Sequence, residues 1–196
     1  MQKREKEAEA KDAIIHAATS LFKKYGIHKT TMEEISLSMG KSNKYAYYYF
    51  KNKEEIFSEF GKRELARMLS EINKLVSKEK SLEGKIKVLF HARFHCIHDT
   101  IASYPMTASE IGINMPAITG MIKALSLSFV ADLESLLKKG VAIGKFRNIK
   151  TADCQIMAET YSEMMASIDV RFAVMGSTIP YARFDILVES LMRGLG

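Results

Sequence analysis

Residues 30–57, TTMEEISLSMGKSNKYAYYYFKNKEEIF, constrain this chain more than any other stretch. Two short helical patterns meet at a glycine, and a tyrosine run leads through lysines into a third. Thr31 and Glu34 stand three apart, the spacing of a capping box. There the threonine hydroxyl accepts the Glu34 amide and the glutamate reaches back to the Thr31 amide. Ile35 and Met39 supply an inward face. Gly40 permits a positive φ and so a sharp turn, and Ser42 suits the N-cap of a following helix. This is the layout of a helix-turn-helix, whose second helix reaches base edges of DNA with its first turn.

The remaining sequence is helical in pattern almost throughout, and alternating strand patterns with paired turn signals are absent. The periodicity predicts an all-α chain of about nine helices. They cover 8–25, 31–39, 42–49, 53–78, 82–103, 106–113, 116–142, 151–175 and 180–195. Ile14, Ile15, Ala18, Leu21 and Phe22 give the first helix one apolar face, stopped by Gly26. Pro105, Pro116 and Pro180 fall where apolar periodicity restarts, so each is expected near a helix start. Residues 1–53 are expected to form a three-helix DNA-binding module, and residues 54–196 a helical effector-binding and dimerisation body.

Charge separates the same two parts. Residues 1–53 carry eleven Lys/Arg against six Asp/Glu, whereas residues 54–196 carry eighteen against seventeen. Most of the net +6 therefore lies in the segment with the helix-turn-helix pattern, where it would attract a polyanion. Cys96 and Cys154 are too few for a disulfide framework and read as buried free thiols in a reducing compartment. The longest uncharged run, residues 111–122, is too short to span a bilayer. The N-terminal residues lack the apolar segment of a signal peptide, so the expected location is the cytoplasm, away from membranes.

Asn43, Lys44 and Tyr45 occupy the expected first turn of the second helix. Asn pairs with adenine and Lys with guanine, which makes these candidate base readers. Tyr47 and Tyr49 offer hydroxyls to phosphates, with Lys51 and Lys53 as charge beside them. Tyr48 and Phe50 are expected to serve packing.

The segment from KKYG through TTMEEIS, the glycine turn and YYYFKNKEEIF resembles the DNA-binding domain of the TetR (tetracycline repressor) family, over about residues 8–60. The resemblance implies an all-α homodimer that represses transcription and leaves DNA when a small molecule enters its C-terminal domain. By position it implies phosphate contacts at Thr31, Tyr47 and Lys53, and base contacts at Asn43, Lys44 and Tyr45. Lys41 stands where the family usually has an apolar residue, Tyr45 replaces a common Thr and Ala46 a usual Leu. A Leu-to-Ala gap left open costs about 2–5 kcal/mol, so Tyr45 or Met39 is expected to fill it.

In the body, Ile86, Phe90, Phe94, Ile97 and Ile101 share a narrow arc, flanked by His91, His95 and His98 at i, i+4 and i+7. Three imidazoles on one helix raise an alternative, a metal-sensing helical protein. Ordinary polar flanking of an apolar face, or a polar edge to a ligand pocket, accounts for them better, and neither a metal ion nor another cofactor is expected. The methionines Met106, Met115, Met121, Met157, Met164 and Met165 suit an adaptable cavity for an apolar effector. Its candidate lining is Phe90, Phe94, His91, His95, Met121, Phe129, Met157 and Tyr161. Met157, Tyr161, Met164, Met165, Ile168 and Phe172 on the eighth helix, with Tyr181, Phe184, Leu187, Val188, Leu191 and Leu195 on the ninth, would close a core or pair across a twofold axis. The expected homodimer uses these two helices. No phosphate loop, nucleophile elbow or HExxH pattern supports an enzyme.

Overall fold

A computed structural model describes residues 2–104, 108–175 and 181–196, with side chains for 4–104, 116, 118–174 and 183–196. Among these residues all regular structure is helical: α1 (Gln2–Tyr25), α2 (Met32–Ser38), a 3-10 turn (Ala46–Tyr48), α3 (Lys53–Lys78), α4 (Leu82–Ala102), α5 (Ala108–Ala142), α6 (Asp153–Met175) and α7 (Tyr181–Leu195). Seven α-helices stand where nine were expected. Pro116 does not start a helix but lies inside α5, so the sixth and seventh expected helices are one. A proline sacrifices one backbone bond there, and its ring would crowd the carbonyl of residue i−4, which is Gly112. The third expected helix is the 3-10 turn. The expected helix starts at Pro105, Met106 and Pro180, and the side chains of Met115 and Tyr181, lie outside the described residues.

The chain divides into two compact units, residues 1–64 with 100–118, and residues 65–99 with 119–196. In the first unit, α1 buries Ile14, Ile15, Ala18 and Phe22 against Met32 and Ile35 of α2, Ala46, Phe50, and Ile56, Phe57 and Phe60 of α3. Each Ile, Met or Phe among them contributes about 1.5–3 kcal/mol on burial. The aromatic members meet edge-on: Phe22 lies 6.1 Å from Phe57 and Phe60 lies 4.9 Å from Tyr104. Gly26, at φ 82°, ends α1 in a left-handed conformation that a residue with a Cβ resists.

The second unit has its core along α4 and α5. Ile86, Leu89, Phe90, Phe94 and Ile97 of α4 are buried, as are Leu125, Phe129, Leu133 and Leu137 of α5. On α7, Phe184, Val188, Leu191 and Leu195 are buried within the chain itself. On α6 the buried stripe is Cys154, Ala158, Ser162, Met165, Asp169 and Phe172. Met157, Tyr161, Met164 and Ile168 are half-buried beside it. The buried face of α6 is thus rotated from the one its largest apolar residues mark, and it carries small and polar side chains. Cys154 is buried as expected, but Cys96 is only half-buried.

Candidate nucleic-acid interface

The capping box at Thr31 forms as its spacing requires. Glu34 N–H donates to Thr31 Oγ1 at 3.1 Å, and Thr31 N–H donates to Glu34 Oε2 at 2.8 Å. The Thr31 hydroxyl also donates to Glu34 Oε2 at 3.0 Å, so the exposed threonine is held inside the cap. After α2 the chain reverses at Gly40, whose φ is 68°.

The segment after the turn is held by Ser36, a residue that periodicity alone does not single out. Ser36 is fully buried. Its carbonyl accepts from Met39 and Lys41, closing the turn. Its hydroxyl donates to the Met32 carbonyl at 2.9 Å and accepts from the Ala46 N–H at 3.0 Å. Ala46 is itself completely buried, and Met39 and Tyr45 pack against the same core.

Ser42, Asn43 and Lys44 are exposed and adjacent. They precede the 3-10 turn in a tight turn closed by Tyr45 N–H to the Ser42 carbonyl at 2.8 Å. The backbone bonds that follow are i to i−3, except Phe50 to Ala46, so this segment does not form the regular α-helix expected over 42–49. With so short a run, the pull of Ser36 on Ala46 and burial of Phe50 decide the backbone. Phe50 is in the core as expected, but Tyr48 is not a packing residue: it is 77% exposed. The half-buried Tyr45 and Tyr49 rings lie 5.3 Å apart, tilted by 55°, and Lys41 Nζ lies 5.5 Å from the Tyr45 ring centre.

Besides Thr31, two more of the expected phosphate contacts, Tyr47 and Lys53, have protein partners. The Tyr47 hydroxyl donates to Glu33 Oε1 at 3.1 Å, and this bond pushes the Tyr47 phenol above its ordinary pKa. Lys53 Nζ donates to the carbonyls of Ile27, His28 and Thr30 at 3.0, 2.9 and 3.1 Å. An ammonium has three N–H donors, and all three are spent on the loop between α1 and α2.

In the other unit, Phe90, Phe94 and Phe129 are buried, and His91, Met121, Met157 and Tyr161 half-buried. The Phe90 ring meets Phe129 at 4.9 Å and Tyr161 at 5.7 Å. His95 is exposed and His98 buried, so the three imidazoles do not converge. Among the described residues no group of three or more His, Cys, Asp or Glu is placed to hold a metal ion. Nor is any helix among them long and apolar enough to cross a membrane.

Residues 14–60 match the family model described as bacterial regulatory proteins, tetR family. This segment is a TetR-family regulatory-protein domain. Beyond it, the fatty acid metabolism regulator protein of Bacillus subtilis is 20% identical over 134 residues, 68% of this chain and 69% of that protein. A transcriptional regulator from Cytophaga hutchinsonii shares the fold with TM-score 0.69 at 19% identity, covering 94% of each chain. The complex of triclosan with SmeT, the repressor of the Stenotrophomonas maltophilia efflux pump SmeDEF, has TM-score 0.58 at 18% identity, over 93% of this chain and 89% of that one. The activity of these relatives is regulation of transcription, not catalysis.

Proposed function

We propose that this TetR-family chain is a ligand-responsive repressor that binds a palindromic operator as a homodimer in the cytoplasm. Residues 1–53 would hold DNA, and residues 54–196 would bind the effector and dimerise through α6 and α7. The observation that carries the DNA reading is the run of exposed side chains Ser42, Asn43 and Lys44, on a turn whose backbone Ser36 ties to α2. Asn43 and Lys44 are assigned to base edges with Tyr45 beside them. Ser42, Tyr47 and Tyr49 are assigned to phosphates, as is Thr31 at the N-terminus of α2. Lys53 acts through its positive charge and by fixing the loop that carries Thr31.

Two copies with reading turns about 34–36 Å apart would enter successive major grooves. An effector, an apolar small molecule as for the SmeT complex, would release DNA by preferring a second geometry. It would lie among Phe90, Phe94, Phe129, Met121, Met157, Tyr161, His91 and His95. Helix α3 supplies residues to both compact units and is one of the covalent routes between them.

Selection of bound duplexes from a random DNA library at near-physiological salt tests this reading. The expected product is a palindrome with half-sites one helical turn apart. Weak, salt-sensitive binding without sequence enrichment would overturn it.

A further inference from the structure

Three polar side chains meet inside the second unit where an apolar core would be expected. Arg93 of α4 is 1% exposed, His98 of α4 4% and Asp169 of α6 0%. Arg93 Nη1 lies 2.8 Å from Asp169 Oδ2, forming a buried ion pair. Arg93 Nε, His98 Nε2 and Asp169 Oδ1 have no hydrogen-bond partner among the described residues. Buried polar atoms are paired in nearly all folded proteins, so the two facing orphans, His98 Nε2 and Asp169 Oδ1, point to a group that bridges them.

The geometry restricts that group. His98 Nε2 and Asp169 Oδ1 are 4.0 Å apart, too far for a direct bond. One polar atom about 2.8 Å from each would bridge them at roughly a right angle. The imidazole cannot swing to another partner, because it lies between Phe94, at 3.8 Å, and Phe172, at 4.0 Å and parallel within 1°. The bridging atom must satisfy a carboxylate, which only accepts, and an imidazole nitrogen. A hydroxyl does both, donating to Asp169 and accepting from a His98 Nε2–H. Charge points the same way. Arg93 is already neutralised by Asp169, so an added anion would leave a buried net charge, whereas a neutral head adds none.

The cluster lies beside an apolar groove without lining it, and Ser126 touches both. Arg93 Nη2 donates to Ser126 Oγ at 3.4 Å, a long bond that is easily exchanged. Ser126 also lines a groove of about 350 Å³ between α5 and α6, walled by Ile122, Leu127, Val130, Ala166 and Val170. Ser162 on the same groove donates to the Ser126 carbonyl at 3.3 Å. An apolar cleft with a few convergent polar groups is the usual form of a small-molecule site.

We propose that the groove and the Arg93–Asp169–His98 cluster form one ligand site, which takes an apolar molecule bearing a neutral hydroxyl that bridges Asp169 and His98. This rests on the reading that the second unit holds the effector; it places the effector in this groove rather than among the residues assigned above, and it names the effector's polar chemistry.

Calorimetric titration of the full chain with 4-butylphenol, butylbenzene and 4-butylbenzoate tests the site without any variant. The phenol is expected to bind at least about tenfold tighter than either of the others. Equal binding of phenol and hydrocarbon, tighter binding of the benzoate, or no binding of the phenol overturns the proposal. His98→Phe keeps the ring stack and removes Nε2. It is expected to weaken the phenol at least about tenfold and leave butylbenzene unchanged, whereas an unchanged phenol affinity overturns the bridge. Operator release is read separately on the same samples. Hydroxyl-dependent binding supports the site whether or not DNA is released, and binding without release overturns only the effector reading. A protein that loses the phenol but still selects its operator overturns only the site.

Discussion

Ser36 Oγ accepts the backbone N–H of Ala46 at 3.0 Å, across ten residues of chain, with both residues fully buried. One side chain thereby couples α2 to the turn that presents Asn43 and Lys44. Ser36→Ala would strand a buried donor, at a cost of about 1–3 kcal/mol. Urea denaturation should show that loss, and operator affinity should fall further than affinity for random DNA. A loss below about 0.5 kcal/mol would mean water replaces the hydroxyl and the coupling is weak.

The Tyr47 hydroxyl is held by Glu33. A phosphate claiming that hydroxyl must displace a carboxylate of its own sign. Glu33→Gln should therefore raise DNA affinity about two- to fivefold, the scale of an exposed charge interaction. Tyr47→Phe should lower it in wild type, and a double-mutant cycle measured by fluorescence anisotropy should show coupling between the two. Additive effects would separate Tyr47 from the phosphates.

Lys53 gives its three donors to carbonyls 23 to 26 residues earlier in the chain. Lys53→Ala should lower the melting temperature and weaken binding alike on all sequences. Because those donors are already engaged, the slope of log affinity against log salt should change by less than the ~0.9 of a full phosphate contact. A change of the full ~0.9 with unaltered stability would show that DNA takes the ammonium from the loop.

Asn43 is exposed at the start of the presenting turn. Asn43→Ala should cost about 1–3 kcal/mol at one base-pair position of the selected operator. If single-base operator variants lose affinity equally with and without Asn43, the residue reads no base.

The buried cluster has two opposed titrations. Burial raises the Asp169 carboxyl to about 6, against the pull of Arg93, so its stabilising contribution is largest at low pH and is lost as pH rises through about 6. Burial, reinforced by His95 and Arg93 and opposed by Asp99, lowers His98 to about 4. Its contribution is full above the ordinary value of 6.5 and is lost as pH falls toward 4. Between pH 4 and 6 the two slopes oppose each other. His98→Phe removes one of them, so its stability should decline relative to wild type as pH rises from 4 to 6. A constant difference in urea midpoints across that range would show that His98 does not titrate as its burial implies.

Local chemistry was legible in the chain before any contact was seen. The capping box of Thr31 and Glu34, the reversal at Gly40, the apolar faces of α1, α4 and α7, and the basic bias of residues 1–53 all depend on neighbours within about a turn of helix or on charge counts. So do the helix-turn-helix and the family resemblance carried by residues 14–60. What tertiary structure alone decided depends on partners far apart in sequence. Pro116 lies inside α5 rather than at a helix start. The expected third helix became a 3-10 turn, because Ser36 pulls Ala46 inward and Tyr48 is left outside. Lys53 turned to the loop behind it. Asp169 sits on the buried stripe of α6 at helical spacing from Ser162, Met165 and Phe172, a charge inside an apolar pattern that could have flagged it. Its partner Arg93 lies 76 positions earlier, and no periodicity links two helices so far apart. Only packing brings that ion pair together, and only packing leaves His98 one atom short of it.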